Sequence, residues 1–193
     1  MKSVCVYCGS SPGKSARYRE AARDLGHEMV ARGLDLVYGG AGIGVMGAVA
    51  DAVLERGGAV TGVIPYSLST KEVAHDGLTE LIVVSSMHER KAKMADLADA
   101  FVALPGGWGT CEEIFEMLTW AQLGFHEKPC GLLNVAGYYD SLFAFLEHAV
   151  VERFVREEYR PMMIMEDDPA ALLDRFAVYR APQVRKWLGP EET

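Results

Sequence analysis

The sequence lacks any apolar run close to the roughly 20 residues that a membrane-spanning helix needs. No cleavage region typical of a signal peptide follows its first residues. A formal net charge of −8 disfavours non-specific binding to nucleic acid or to acidic membranes, because both are polyanions. These absences predict a cytoplasmic protein with no nucleic-acid or membrane partner. A small anionic ligand is still allowed, since it needs only a local positive site.

Cysteine and histidine are too sparse and scattered to indicate a disulfide framework or a metal centre. Cys5-Val-Tyr-Cys8 has the spacing of a redox pair, but it lies inside an apolar run rather than at a helix start. Residues three apart on a strand point to opposite faces of a sheet, so this pair is predicted to be buried and structural. The five histidines show no ligand spacing, and the sequence predicts neither a metal nor a cofactor.

What the chain does contain is a regular alternation of short apolar runs and helix-like segments. The runs lack polar alternation, which is typical of strands covered on both faces in a parallel sheet. We therefore predict an α/β fold, with a doubly wound parallel sheet and helices on both faces, in a single domain of residues 1–180. A loosely ordered tail is expected over residues 181–193. The predicted strands span 3–8, 34–38, 59–64, 80–84, 100–104 and 130–133. The predicted helices span 15–32, 44–56, 87–97, 110–123, 139–153 and 169–178.

Ligands of doubly wound sheets bind beyond the carboxyl ends of the strands, and small residues follow the first two predicted strands. Cys8-Gly-Ser-Ser11 either approaches a phosphate closely or forms an ordinary turn. Gly42, Gly44 and Gly47 spell G-x-G-x-x-G before a predicted helix, which favours a phosphate loop. Tight helix–sheet packing is the alternative. An NAD oxidoreductase is disfavoured because no carboxylate follows near Ile64, where the ribose of NAD would need one.

The helix predicted to start after Ser86 carries two cations near its positive end. Ser86 and Glu89 have the spacing of a capping box, which explains Glu89 without a catalytic role. Arg90 and Lys91 are unfavourable there, because the helix dipole already concentrates positive charge at this end. A bound anion would remove the conflict, and a solvated basic face is the alternative.

The most informative segment is Pro105-Gly-Gly-Trp-Gly-Thr-Cys-Glu-Glu113, which follows a predicted buried strand. Its three glycines allow the loop to wrap closely round a phosphate or a ribose. Thr110 and Glu113 again have capping-box spacing, so a structural role for Glu113 stays open. The dipole of the following helix favours ionised carboxylates at Glu112 and Glu113, whereas Glu116 is predicted to be a solvated charge. An ionised carboxylate at a ligand cleft can stabilise a developing cationic sugar.

This segment matches the P-G-G-x-G-T-x-x-E signature of the Lonely Guy family, which the chain resembles from residue 1 to about 180. The other matching segments are 8–11, 38–47, 87–91, 119–124 and 131–139. The family is one of cytokinin riboside 5′-monophosphate phosphoribohydrolases, often mislabelled as lysine decarboxylases. The resemblance implies a Rossmann-like fold and a homodimer. It also implies hydrolysis of N6-modified adenosine 5′-monophosphates, of AMP, or of both, to free base and ribose 5-phosphate.

The resemblance further implies that Glu113 and Arg90 are the catalytic pair. Glu113 is expected to stabilise an oxocarbenium-like state, bind a ribose hydroxyl or orient the attacking water. Arg90 stays protonated, so it is expected to grip substrate oxygens and hold Glu113. The 5′-phosphate would lie against the loops 40–47 and 106–109, and Trp108, a tyrosine more often in the family, would affect the base pocket. The expected substrate contacts are Gly9, Ser10, Gly40, Gly42, Gly44, Met46, Glu72, Lys91, Gly106, Gly107, Trp108, Gly109, Thr110, Glu112 and Thr119.

Two further hypotheses are compatible with parts of the sequence. A non-catalytic nucleotide carrier or sensor could use the same loops, but it would leave the pairing of Glu113 with Arg90 unexplained. A PLP-dependent lysine decarboxylase needs a Schiff-base lysine and an acidic partner for the pyridinium nitrogen. Neither can be assigned in the sequence, and 193 residues is short for such an enzyme.

Overall fold

Seven parallel strands form one sheet in the computed structural model, which describes residues 1–69 and 74–184. The strands are β1 (Ser3–Tyr7), β2 (Asp35–Tyr38), β3 (Val60–Pro65), β4 (Glu80–Val84), β5 (Ala100–Ala103), β6 (Cys130–Leu133) and β7 (Ile164–Glu166). Their order across the sheet is β4-β3-β2-β1-β5-β6-β7. The first four strands extend the sheet in one direction and the last three extend it in the other. This is the doubly wound, Rossmann-like arrangement predicted from the sequence.

Helices cover both faces of the sheet. They are α1 (Arg17–Ala31), α2 (Gly44–Glu55), α3 (Tyr66–Ser69), α4 (Met87–Leu97), α5 (Trp108–Leu123), α6 (Asp140–Val151) and α7 (Pro169–Val178). Helices α1, α2 and α7 enclose one core, and α4 and α5 enclose the other. Alternate residues of β1 enter the two cores, so Val6 and Cys8 lie in the first and Cys5 in the second. The predicted burial of Cys5 and Cys8 on opposite faces is confirmed, and both are unpaired thiols.

Helix boundaries agree with the prediction to within two residues, and the difference that bears on the site is at the start of α5. This helix begins at Trp108, with Gly107 as its N-cap in an extended conformation (φ −96°, ψ −151°). Thr110 therefore lies inside the helix, and the predicted capping box with Glu113 is wrong. At α7 the predicted cap is confirmed, because the Asp168 carboxylate accepts a hydrogen bond from the Ala171 N–H at 2.9 Å.

Four short elements are absent from the prediction: strand β7, helix α3 and two 3₁₀ helices, Val135–Gly137 and Glu157–Met162. Strand β7 has three residues, too few for a periodic pattern, and it forms because Gly131 and its neighbours on β6 pair with Ile164–Glu166. Helix α3 is a single turn. Of the predicted tail, Ala181, Pro182 and Val184 line a small cavity with the end of α5, and 185–193 lie outside the described residues. The domain limits therefore stay a prediction.

The described ranges contain no helix long and apolar enough to cross a membrane. In the same part of the chain no three His, Cys, Asp or Glu side chains group together as metal ligands would.

The loops after β1 and β5 meet where the winding of the sheet reverses. Gly9 donates its N–H to the Pro105 carbonyl at 3.2 Å. A Cβ at Gly9 would lie 3.3 Å from the Cα of Gly106, so this close approach favours glycine at both positions. The two loops then diverge, one towards α1 and the other towards α5. A cleft opens between them at the carboxyl ends of the strands.

Candidate active site

A cavity of about 250 Å³ occupies this cleft. Its walls come from the loop after β1, the end of β2, one side of α4 and the start of α5. The predicted site residues that line it are Gly9, Ser10, Met46, Arg90, Gly107, Gly109, Thr110, Glu112 and Glu113. A larger cavity of about 660 Å³ lies near β7 and α6, but it contains none of the predicted site residues.

Other predicted site residues do not line this cavity. They are Gly40, Gly42, Gly44, Lys91, Gly106, Trp108 and Thr119. Glu72 lies outside the described residues.

The glycine-rich start of α2 is used for packing rather than for presenting donors to the cavity. The N–H groups of Val45 and Met46 both donate to the Gly9 carbonyl, at 3.1 and 3.3 Å. Gly44 has a φ of +63°, and a Cβ there would collide with the Ser10 carbonyl. These contacts favour the packing role of the G-x-G-x-x-G segment, although its glycines line a separate cavity of about 370 Å³. Only Gly39 and Met46 from the neighbourhood of this motif reach the cavity of about 250 Å³.

The start of α5, in contrast, has free donors. The Gly107 carbonyl accepts from the Cys111 N–H, so the N–H groups of Trp108, Gly109 and Thr110 precede the first bond of the helix. Within the described ranges these three groups have no hydrogen-bond partner. Because Gly107, Gly109 and Thr110 line the cavity, the positive end of the helix dipole faces it.

Arg90 is buried and reaches from α4 to the carboxyl ends of β2 and β3. Its Nε donates to the Val63 carbonyl at 3.0 Å, and its Nη2 donates to the Gly39 carbonyl at 3.4 Å. These carbonyls offset the electrostatic conflict between a cation and the start of α4. A Cβ at Gly39 would collide with the guanidinium, so Gly39 leaves room for it. Nη1 lies 3.8 Å from Oε1 of Glu113, an ion pair longer than a hydrogen bond.

Glu113 is the buried carboxyl group of the cavity. Burial raises its pKa to about 7, although the charge of Arg90 acts in the opposite direction. The group therefore exists in both protonation states at neutral pH, which corrects the expectation that the helix dipole keeps it ionised. A carboxyl group with such a pKa can take up or release a proton during a reaction.

The Lys91 side chain extends from α4 towards α5 rather than into the cavity. Its Nζ pairs with Glu112 and, at 3.0 Å, with Oε2 of Glu116. Burial by itself would lower the pKa of Lys91, but the two carboxylates raise it above its usual value. The structure therefore contradicts both the solvated basic face that was the alternative for Lys91 and the solvated charge predicted at Glu116.

The start of α4 has the cap expected from the sequence. The Ser86 hydroxyl accepts from the Glu89 N–H at 3.1 Å. The Glu89 carboxylate accepts from the N–H and hydroxyl of Ser85, which lowers its pKa. Glu89 thus has a structural role.

Two predicted contacts lie on exposed parts of α5. The Trp108 side chain is 94% exposed and does not line the cavity. The Thr119 hydroxyl donates to the Phe115 carbonyl at 2.8 Å. At 1.5 Å per residue, Thr119 lies roughly 16 Å along the helix from Trp108. Thr119 is therefore too far away to contact a ligand at the start of its own α5.

The prediction of the site missed Met87 and Met94, Val6 and Tyr7 at the end of β1, and a backbone group of Gly39. Met87 and Met94 line the cavity on either side of Arg90, at the i, i+3, i+7 spacing of one helix face. That spacing could have identified them. The Gly39 carbonyl that holds Arg90 could not be identified, because a backbone acceptor has no signature in the sequence.

The fold and cavity together define an α/β protein with a ligand site at the switch point of a parallel sheet. A family model described as "Possible lysine decarboxylase" matches residues 46–176. A probable cytokinin riboside 5′-monophosphate phosphoribohydrolase of Oryza sativa subsp. japonica is 53% identical over 178 residues, which cover 92% of this chain and 78% of the relative. A cytokinin riboside 5′-monophosphate phosphoribohydrolase of Arabidopsis thaliana is 48% identical over 178 residues, covering 92% and 83%. The chain belongs to the Lonely Guy family, as its sequence motifs predicted.

Solved structures with little sequence similarity share the fold. The molybdenum cofactor carrier protein of Chlamydomonas reinhardtii has a TM-score of 0.69 at 21% identity, covering 92% of this chain and 99% of that chain. The molybdenum cofactor binding protein of Rippkaea orientalis has a TM-score of 0.68 at 21% identity, covering 90% and 94%. At these identities the likeness concerns the fold alone.

Proposed function

We propose that this protein hydrolyses the N-glycosidic bond of cytokinin nucleotides, which are N6-modified adenosine 5′-monophosphates, and of AMP. Water adds to C1′ of the ribose, and the base leaves through N9 with a proton, so the products are the free base and ribose 5-phosphate. The observation that carries the proposal is one cavity in which Glu113, Arg90 and the free N–H groups of α5 converge. Relatives that are about half identical carry the name of this activity.

The 5′-phosphate is placed at the start of α5. The unpaired N–H groups of Trp108, Gly109 and Thr110 are suited to phosphate oxygens, and the helix dipole favours the anion. The start of α2 is less suited, since Gly9 already occupies the N–H groups of Val45 and Met46. Binding energy from the phosphate would help to position the sugar in the reaction.

Glu113 is assigned to the sugar and Arg90 to the oxygens around it. As a carboxylate, Glu113 stabilises positive charge that develops at C1′ and O4′ of the ribose. Arg90 is permanently protonated, so it serves as a hydrogen-bond donor and not as the acid that protonates the base. Its anchors at Val63 and Gly39 leave Nη1 facing Glu113. Arg90 thereby orients both the carboxylate and the substrate.

A lysine decarboxylase does not fit these residues. In the described part of the chain no lysine lines the cavity. The nearest candidate, Lys91, is held by two carboxylates that raise its pKa, whereas a lysine that forms a Schiff base needs a lowered one. The proposed reaction requires no cofactor.

The proposal includes a cytoplasmic homodimer. Thr119 is too far from the start of its own α5 to contact the substrate there, so its binding role requires that it faces the site of a second copy. The exposed Trp108 offers an apolar surface for such a contact. A cytoplasmic location is supported by the free thiols of Cys5, Cys8 and Cys130, which suit a reducing compartment.

The direct test is an assay of the purified protein with AMP and with N6-isopentenyl-AMP, in which free base and ribose 5-phosphate are separated by chromatography. We expect base release, and the ratio of the two rates gives the preferred base. Glu113→Gln should abolish release while calorimetry shows nucleotide binding largely retained. Near-normal turnover by this variant would remove Glu113 from the chemistry. Binding without turnover by the wild-type protein would replace the enzyme with a carrier.

A further inference from the structure

Two consecutive tyrosines after β6 contact the loop that leads into α5. The Tyr139 hydroxyl donates to the Leu104 carbonyl at 2.7 Å. The Tyr138 hydroxyl donates to the Gly106 carbonyl at 2.5 Å. Neither tyrosine lines the cavity, and the proposed reaction gives neither of them a role.

The carbonyl groups of the loop 104–107 are all occupied by donors of the protein itself. The Tyr139 hydroxyl occupies the Leu104 carbonyl, and the Tyr138 hydroxyl occupies the Gly106 carbonyl. The Pro105 carbonyl accepts from the Gly9 N–H, and the Gly107 carbonyl accepts from the Cys111 N–H, both at 3.2 Å. The loop therefore has no unpaired carbonyl that would repel a phosphate oxygen. What it leaves for a ligand are the free N–H groups that follow it at the start of α5.

The tyrosines are themselves held in place by a buried asparagine. The Asn134 side-chain oxygen accepts from the Tyr139 N–H at 2.8 Å. Its amide nitrogen donates to Asp140 at 2.8 Å and to Asp167 at 3.0 Å. This segment thus connects the ends of β6 and β7 to the loop after β5.

The turn before the tyrosines explains how two neighbours reach the same loop. Ala136 and Gly137 both have a left-handed backbone, with φ of +53° and +72°. This conformation is costly for alanine, so the surrounding contacts must maintain it. The Tyr138 and Tyr139 rings then pack edge to face, with centroids 5.0 Å apart. Their hydroxyls reach carbonyls two residues apart in the loop.

We propose that Tyr138 and Tyr139 are positioning residues that orient the 104–107 loop so that the start of α5 binds the 5′-phosphate. The hydrogen bond from the Tyr138 hydroxyl to the Gly106 carbonyl also polarises the Gly106–Gly107 peptide. This polarisation strengthens the Gly107 N–H as a donor. This inference rests on the phosphate position of the proposed function. It adds two residues from the segment between β6 and α6 to a site otherwise built from the loops after β1 and β2, one side of α4 and the start of α5.

Calorimetric titration of the full-length protein with ribose 5-phosphate tests this role without requiring turnover. Tyr138→Phe and Tyr139→Phe are each expected to weaken binding roughly five- to tenfold, the size of effect expected for one lost hydrogen bond. Tyr18→Phe is the matched control, because the Tyr18 ring packs edge-on against Tyr138 at 5.7 Å. This variant removes a neighbouring hydroxyl and should bind like the wild type.

A kinetic comparison separates orientation of the loop from general stability. In both variants kcat/KM should fall for the nucleoside monophosphate but not for the same nucleoside without its phosphate. Equal losses for the two substrates would assign the tyrosines to fold stability and overturn the inference. Unchanged ribose 5-phosphate binding in both variants would overturn the inference alone and leave the proposed function standing. A wild-type protein that binds no ribose 5-phosphate would overturn the phosphate position and this inference with it.

Discussion

At Glu113, burial and the charge of Arg90 act on the pKa in opposite directions. Its pKa in the folded protein is about 7, above the ordinary value of 4.5. The folded state therefore binds this proton more tightly than the unfolded state does. The resulting contribution to stability is complete below about pH 4.5 and is lost as the pH rises through about 7. The buried carboxylate of Glu113 thus costs stability at neutral and alkaline pH.

Replacing Glu113 with glutamine should reverse this cost, because an amide does not ionise. As the pH rises from 5 to 8, the free energy of unfolding of Glu113→Gln is expected to increase by on the order of 3 kcal/mol relative to that of the wild type. Denaturant unfolding of both proteins at the two pH values measures the change. Glu112→Gln is the control, since Glu112 is half exposed and should show little of this effect. A stability difference that does not vary with pH would contradict the assigned pKa.

Helices α4 and α5 are joined by two side chains that follow one another in the sequence. Arg90 faces the cavity and Glu113, whereas Lys91 faces Glu112 and Glu116. The periodicity of the sequence predicts both helices, and the resemblance to the family implies Glu113 and Arg90 as the pair. Neither of them predicts whether the Lys91 side chain points towards the cavity or towards the carboxylates of α5, because both directions fit the helix. That choice depends on the Glu116 carboxylate, which only the packing of α4 on α5 brings to Lys91.

Removing the charge of Lys91 should therefore affect both stability and acid–base behaviour. Lys91→Met is expected to lower the free energy of unfolding by about 1–2 kcal/mol, since two carboxylates lose a cation and one of them is half exposed. Lys91 also lowers the pKa of Glu113, so its loss should raise that pKa further. Because the Glu113 carboxylate is the proposed active form, kcat/KM should rise with pH as Glu113 ionises, and the loss of Lys91 should move this rise to higher pH. Lys93→Met, on the exposed side of α4, is the control. An unshifted pH profile would show that Lys91 has no effect on Glu113.

The whole molecule has the doubly wound parallel sheet that the apolar runs predict, with β7 as its only added strand in the described ranges. The sequence also predicts the location of the cavity, because a doubly wound sheet binds ligands at its switch point. The two glycine-rich segments illustrate the limit of such predictions. Both contain closely spaced glycines before a helix, yet only α5 keeps its N–H groups free. The difference arises from the Gly9 carbonyl, which contacts α2 from another part of the chain.

The proposed dimer makes a prediction about mixed protomers. Glu113→Gln removes the carboxylate, and Thr119→Arg blocks the surface that would face the second copy. Each variant alone should be inactive. A heterodimer of the two should recover activity at one site, where the Glu113 of one protomer meets the Thr119 of the other. Co-expression with two affinity tags, followed by the nucleotide assay, measures this recovery. A mixed preparation that stays inactive would place Thr119 outside the partner's site.

The pairing of β1 with β5 has a consequence for the synthesis of this protein. β1 emerges from the ribosome early, and β2 can cover one of its edges soon afterwards. The other edge stays open until β5 has been made, since these two strands are neighbours only in the finished sheet. Pairings between such distant segments form slowly and leave strand edges exposed to aggregation in the meantime. The proposed catalytic cleft lies across this seam. A nascent chain therefore gains activity only when its two halves have joined, and recovery of activity reports completed folding.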